Sequence, residues 1–351
     1  MNTDILIVGG GLAGLSLADH LQRQGRDFAL VEARSRLGGR IKTEVLEDGY
    51  FDMGPAWFWP GQPRIAALIH RLGLQKFDQH CAGILTFEDE KGQVQRGRGH
   101  ASMQGSYRLN GGLGALIAAL ADQLPPHSVH LNTALTGLEQ IEAGVRATLN
   151  DGRRITAQKI VLALPPRVIA AQIEFTPVLP KTAMQSMADI PTWMAGQAKA
   201  IAVYDTAFWR EEGLSGDAMS RCGPMVEIHD ASPAQGGPYA LFGFVGLPPT
   251  ARKDEGQLRD ALLAQFQRLF GPKAANPRQL YVKDWAFDQN TATPLDQAPL
   301  YAHPQYGLPH ALKGVWDNRV VFGGTEVAPQ FGGYLEGALE AGENVVHSLG
   351  G

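Results

Sequence analysis

The chain is poor in several things, and each shortage excludes a class of protein. It has two cysteines, Cys81 and Cys222, in 351 residues. Two thiols cannot make a disulfide framework and suit a reducing compartment, so a cytoplasmic location is expected. No apolar run approaches the roughly 20 residues that span a bilayer, and no membrane is expected as a partner. No basic region or cleavage site precedes the first strand, and the C-terminus stops just after a helical pattern, so neither leader nor tail anchor is expected. There is no Lys/Arg-rich block, and the net charge is −4, which argues against nucleic acid. The ten histidines show no metal-ligand spacing, so no metal is expected. Repeats, low-complexity tracts and Ser-His-Asp or Cys-His constellations are missing as well. Hydrophobic content of 44% and charged content of 19% are ordinary for a globular protein, and the length allows two domains.

Against that plain background stand two glycine-rich signatures, one at each end. The first is Ile5-Leu6-Ile7-Val8-Gly9-Gly10-Gly11-Leu12-Ala13-Gly14. The apolar run reads as a buried parallel strand. Gly9 allows a tight turn, Gly11 lets a pyrophosphate reach the backbone, and Gly14 lets helix and strand pack closely. A helix is predicted from about Ala13 to Gln24, ended by Gly25. Its N-terminal N–H groups attract phosphate. A second strand, Phe28 to Val31, runs into Glu32, placed to accept hydrogen bonds from a ribose. In Ala33-Arg34-Ser35-Arg36-Leu37-Gly38-Gly39-Arg40, glycines bracketed by arginines allow backbone contact with phosphate, and Arg40 can neutralise it.

The second signature is Val320-Val321-Phe322-Gly323-Gly324-Thr325-Glu326, followed by Gly332-Gly333-Tyr334-Leu335-Glu336-Gly337-Ala338. A cofactor gripped from both ends of a chain must be long. That favours FAD over a nicotinamide nucleotide, and redox chemistry with it.

With these residues in hand, the chain resembles the flavin-dependent amine oxidase family, typified by the monoamine oxidases. The resembling segments are Val31 to Arg40, Asp52-Met53-Gly54-Pro55-Ala56-Trp57, Tyr107 to Gly114, Lys159 to Pro166, Lys199 to Gly213, Trp285 to Asp296 and Arg319 to Glu343. They keep the family's order along almost the whole chain. The resemblance implies an α/β fold: a Rossmann-like, p-hydroxybenzoate-hydroxylase-like FAD domain interleaved with an α+β substrate domain. The FAD domain is expected over 1–75, 107–185 and 290–351, and the substrate domain over 76–106 and 186–289. It implies that Gly9, Gly11, Gly14, Glu32, Ala33, Arg34, Gly39, Arg40, Gly54, Pro55, Ala56, Trp57, Leu135, Thr325, Glu326, Gly333 and Tyr334 bind the cofactor. Leu135 would contact adenine through its backbone. Thr325 and Glu326 would hold the ribityl and pyrophosphate region. The last helix would aim its positive end at the flavin C2 carbonyl.

Three departures from the family pattern matter. Pro294 stands where some relatives attach flavin through a cysteine, so non-covalent FAD is expected. Tyr334 matches one ring of the family's aromatic cage, but Leu295 stands where the other should be. The stretch from Gln75 to Ser106 is short where monoamine oxidases insert a helical lid. That leaves an open active site, with room for a second copy or another partner chain over it.

Inside the chain, a helix is expected over Gly114 to Leu124, with strands near Val129 to Leu131 and over Ile160 to Leu164. Lys199 to Tyr204 and Tyr239 to Phe244 read as sheet strands, and Gln257 to Phe270 as an amphipathic helix. Lys199 opens an otherwise apolar strand. By spacing alone it is an edge charge; the resemblance makes it the lysine that holds a water near flavin N5, where its charge favours reoxidation by oxygen. Trp285 is expected on the flavin side, and Tyr334 over the flavin. Lys199, Tyr334 and Trp285 are therefore the candidate catalytic residues.

The expected activity is oxidation of a small-molecule amine to an imine, with hydride transfer to N5 and oxygen reduced to hydrogen peroxide. Two rivals share or lack the chemistry. One is a renalase-like oxidase of reduced nicotinamides or a desaturase-type flavoenzyme. The other is a non-catalytic FAD-binding accessory subunit.

Overall fold

The computed structural model describes residues 1–298, 300 and 302–350. Two large sheets organise the chain. The first has eight strands. It runs in the order Glu174–Thr176, Leu135–Ile141, Gly144–Leu149, Arg154–Leu162, Asn2–Val8, Phe28–Val31 and Val129–His130, with Val320–Phe322 also pairing to Arg154–Leu162. Its centre is parallel: Leu6 aligns with Ala29 on one side and with Ile160 on the other, and Val161 aligns with Val321. Strands buried on both faces need continuous apolar runs, which Ile5 to Val8 and Phe28 to Val31 provide.

On one face of this sheet, the helices Leu12–Arg23 and Leu335–Leu349 pack against each other and share a core with Ile5, Ile7 and Leu30. The first and last helices of the chain thus meet. Gly342 permits this, since a Cβ there would lie 3.1 Å from Ser16 Oγ; Gly14 instead lets the first helix close on the first strand, where a Cβ would lie 1.9 Å from Gly9 O. On the other face, Leu6, Val8, Ala29 and Ile160 join a core with Phe175, Met187 and Phe322.

The second sheet has seven strands: Gln279–Asp284, Ala198–Tyr204, Tyr239–Val245, Met225–Asp230, Leu214–Ser220, Ile84–Glu88 and Val94–Arg96. It is antiparallel except where Leu214–Ser220 runs parallel to Ile84–Glu88. The helix Glu255–Phe270 covers one face through Leu258, Leu262, Phe266 and Leu269. The other face, with Ile201, Val203 and Phe242, packs on Phe51, Met53 and Trp57. That second packing brings the cofactor motif around Met53 against the strand carrying Lys199.

Several boundaries differ from the sequence expectation, each for a tertiary or capping reason. The first helix begins at Leu12, because Gly11 is its N-cap, and Arg23 is its last residue. The next long helix spans Gly112–Ala121 rather than Gly114 to Leu124. Its first turn is capped from afar: Asp52 Oδ1 accepts from Leu113 N at 3.0 Å, and Thr43 Oγ1 from Gly114 N at 2.8 Å. The strand expected at Ile160 to Leu164 runs from Arg154 to Leu162, since Arg154 to Ala157 extend it as the partner of Val145 to Thr148. The helix at Gln257 starts at Glu255, with the Asp254 side chain accepting from Gln257 N at 3.0 Å. Strands Leu214–Ser220 and Met225–Asp230 carry mixed polar residues and had no sequence signal.

Candidate active site

One long cleft runs between the two sheets, and both signatures line it. Gly9, Gly11, Glu32, Arg34, Gly39 and Arg40 stand along it with Gly54, Pro55, Ala56 and Trp57. Thr325, Gly333 and Tyr334 come from the other end of the chain, and Lys199 and Trp285 from the second sheet and its sequel. Ala33 and Leu135 line a smaller cleft that continues past Gly9, Glu32 and Arg34. Gly14 and Glu326 line neither; Gly14 is sealed against Gly9, and Glu326 lies behind the wall.

The cleft carries marks of an anionic, extended ligand. Two helix N-termini open on it, at Gly11 and at Tyr334, and neither has a side-chain cap. Uncapped first-turn N–H groups need partners, and phosphate or carbonyl oxygens are suited to supply them. A Cβ at Gly11 would meet nothing closer than Gly39 Cα at 4.0 Å, so the approach to this backbone is open. Glu326 is fully buried, and Arg40 Nη1 stands 2.7 Å from its Oε1. The pair is a charge contact without hydrogen-bond alignment, which leaves both carboxylate oxygens without a hydrogen bond. Glu32 is already engaged: Oε2 accepts from Gly10 N at 2.7 Å and Oε1 from Arg34 N at 2.9 Å. Its carboxylate is thereby oriented at the mouth of both clefts. The residues present therefore fit a dinucleotide-type cofactor.

Arg36, one of the arginines bracketing the glycines, has a role that the sequence did not assign. Its guanidinium donates to the carbonyls of Leu37, Ile41 and Gly39, so it clamps the glycine turn from within. Arg34 pairs with Asp288 and donates to Thr291 Oγ1 at 2.9 Å. Lys283 also reaches Asp288, at 2.8 Å, and lies over the Trp285 ring. This network ties the loop after the second strand to the segment leaving the second sheet.

Lys199 is the second residue of its strand and is 3% exposed. Its Nζ donates to Asp52 O at 2.7 Å and Gly54 O at 3.0 Å, and lies 4.1 Å from the Phe242 ring centroid. Burial pulls its pKa down to about 7; the Arg108 charge pushes the same way, and Asp52 opposes. Two of three ammonium protons are used by carbonyls, leaving one for the cleft. Trp285 is buried, with Nε1 donating to Met53 O at 3.0 Å.

Tyr334 is 37% exposed at the cleft, and its backbone carbonyl accepts from Thr325 Oγ1 at 3.1 Å. Leu295 is not beside it. The Pro294–Asp296 turn has a capping box in which Thr293 and Asp296 lock each other, so Asp296 is buried and Leu295 points out, 57% exposed. The ring stacked on Tyr334 is His303, and Trp193 meets His303 edge-on at 4.9 Å. Trp59, Trp193, Met194, Gln197 and Phe244 also line the cleft, and no sequence signal singled them out.

The comparisons with known proteins agree with this geometry. The flavin-containing amine oxidoreductase family matches residues 12–102 and 98–349. The chain belongs to that family, and a flavin is its implied cofactor. It is thus an amine oxidoreductase of the FAD-dependent type. Among its relatives is a probable flavin-containing monoamine oxidase A of Dictyostelium discoideum, 24% identical, with 97% of this chain and 96% of the relative covered. Another is an L-amino acid dehydrogenase of Synechocystis, 23% identical over 99% of this chain and 94% of the relative. Among solved structures, putrescine oxidase bound to putrescine superposes with a TM-score of 0.82 at 20% identity, and cyclohexylamine oxidase from Brevibacterium oxydans with 0.80 at 20%. Each covers 99% of both chains, so the fold is theirs. No helix among the described residues is long and apolar enough to cross a membrane.

Proposed function

We propose that the chain is an FAD-dependent oxidase of apolar monoamines, with the flavin held non-covalently. The observation that carries the substrate class is the charge pattern of the cleft. Among the described residues its one lining carboxylate is Glu32, and its guanidinium groups are Arg34 and Arg40, all three in the nucleotide motif. Much of the remaining wall is apolar, with Trp57, Trp59, Trp193, Met194, Phe244 and Tyr334 in it; Lys199 adds a cation, and Gln197, Asn290, Thr291 and Thr325 add neutral polar side chains. A diamine would need a carboxylate for its second ammonium, and an amino acid would need a cation aligned with its carboxylate. An apolar amine body needs neither.

In this reading Gly9, Gly11, Gly39 and Arg40 hold the pyrophosphate, Glu32 the ribose, Ala33 and Leu135 the adenine end, and Thr325 and Glu326 the ribityl end. When bound, a flavin would supply the redox chemistry, taking a hydride equivalent from the amine carbon and passing its two electrons to oxygen, with hydrogen peroxide as product. The chain's own work is to bind, orient and keep dry. Tyr334, Trp59 and Trp193 orient the amine body. Trp57, Phe244 and the buried Trp285 exclude water. Lys199, anchored by two carbonyls, holds a water with its remaining N–H and stabilises negative charge forming on oxygen. The segments 1–75, 107–185 and 290–351 form the cofactor domain in this reading, and 76–106 with 186–289 the substrate domain. The short 76–106 segment is what supports an open cleft in this reading.

Anaerobic bleaching of the flavin tests the reading. Cyclohexylamine and benzylamine should bleach it, while putrescine and L-amino acids should not. Bleaching by reduced nicotinamides alone would move the chain to the renalase-like rival, and failure with every donor would make it an accessory subunit.

A further inference from the structure

A second cleft, of 530 Å³, lies away from the cofactor residues, where the stretch Phe77 to Ala82 meets the turn at Gln104-Gly105 and the loop Ser232 to Ala234. His80, Arg108 and Arg210 are in its wall. Arg108 is 4% exposed, yet it makes no ion pair among the described residues. Its Nη1 donates to Ser232 O at 2.7 Å and its Nη2 to Ala231 O at 3.0 Å. A guanidinium has five N–H donors, so carbonyls alone leave this buried charge under-compensated.

Two neighbours add to the pattern. Arg210 donates Nε to Asp230 Oδ2 at 2.7 Å, while its terminal nitrogens have no hydrogen bond among the described residues. His80 Nε2 is buried without a partner. The acids around the cleft are mostly engaged; Asp217 pairs through Oδ1 with His229 Nδ1 at 2.6 Å, while its Oδ2 has no partner among the described residues. Asp78 is exposed in the cleft wall. Asp230 is taken by Arg210, Trp209 Nε1 and Ser232 N. Asp52, whose charge acts on Arg108, is bound by Thr43 and Leu113 N. Cys81 adds no charge, because burial and the nearby Asp217 push its pKa up to about 12.

We propose that this cleft binds a compact oxyanion, the carboxylate or phosphate group of a small ligand, between Arg108, Arg210 and His80. The site is separate from the amine cleft but shares a wall with it. Gln79 lines the second cleft, and its Oε1 accepts from Trp57 Nε1 at 2.8 Å, Trp57 being in the wall of the first.

Calorimetric titration of the flavin-loaded protein tests the proposal, with inorganic phosphate in one arm and succinate in the other, at ionic strength held by sodium chloride. Flavin loading keeps the cofactor's own phosphate sites filled. Saturable binding of at least one anion is expected, phosphate alone indicating a phosphorylated ligand and succinate alone a carboxylate. Arg210→Gln should weaken it about ten- to hundredfold, the range of one charge-assisted hydrogen bond, and Arg210→Lys should restore part of it. Arg210 is chosen because Arg108 also holds the 231–232 backbone. Should Arg210→Gln fail to fold, His80→Leu carries the same comparison. Absence of saturable binding in both arms, or equal binding by the wild type and the folded variant, overturns the proposal.

Discussion

The imidazole of His303 lies flat against the ring of Tyr334, with centroids 4.7 Å apart and planes inclined by 11°. Tyr306 meets the same imidazole edge-on at 5.5 Å, and its hydroxyl donates to Pro191 O at 2.8 Å. His303 therefore transmits a fixed framework to the ring expected to face the amine.

That stack predicts a binding defect on its removal. An aromatic pair contributes about 0.5–1.5 kcal/mol beyond its buried area, or roughly two- to tenfold in affinity. His303→Ala should raise KM for an apolar amine by about that factor, with flavin content unchanged. Steady-state kinetics at matched flavin occupancy checks it; an unaltered KM would leave the stack without a role in binding.

Lys199 gives a pH-dependent outcome whose sign can be worked out. Its folded pKa is lowered from 10.5 to about 7, so it is charged below pH 7 and neutral above. Reoxidation of the reduced protein by oxygen should be fast below that point and slow as pH rises through it. Lys199→Met should be slow and flat across the range, by on the order of 10²-fold against the charged wild type. Stopped-flow mixing with oxygenated buffer reads both. A wild-type profile without a step near pH 7, or a variant as fast as the wild type, would remove Lys199 from the oxidative half-reaction.

The same shift has a stability consequence. Between pH 7 and 10.5 the unfolded chain holds a proton on this lysine that the folded chain does not, so stability rises with pH in that window through this group. Lys199→Met should lose that slope. Denaturant melts at pH 7 and pH 10 provide the comparison, and equal slopes for both proteins would contradict the assignment.

Flavin attachment is decided by acid precipitation. Pro294 occupies a tight turn and offers no nucleophile. All yellow colour should pass to the supernatant, and colour left in the pellet would mean a covalent link elsewhere.

Gly14 predicts a packing failure. A Cβ there would stand 1.9 Å from Gly9 O, which belongs to backbone and cannot rotate away. Gly14→Ala should cost about 1–3 kcal/mol or more and lower flavin occupancy with it. Thermal melts and the bound-flavin ratio measure the two effects, and a fully loaded variant of unchanged Tm would refute the close packing.

Much of this was legible in the sequence because it rests on local rules. The parallel strand at Ile5 to Val8, the glycine turn and the following helix are dictated by apolar runs and by positions where only glycine fits. So were the residues of the two signatures that line one cleft, since each sits at a strand-to-helix junction. Contacts between distant segments were not legible. The cap that Asp52 and Thr43 place on the helix at Gly112, the outward turn of Leu295 and the stack of His303 on Tyr334 depend on groups far apart in the chain or on a local lock that periodicity does not record. That Arg108 bonds carbonyls and forms no ion pair among the described residues is the same kind of fact. A sequence shows which groups carry charge, while the distance to a counter-charge and the water it loses are set only when the two sheets close on each other.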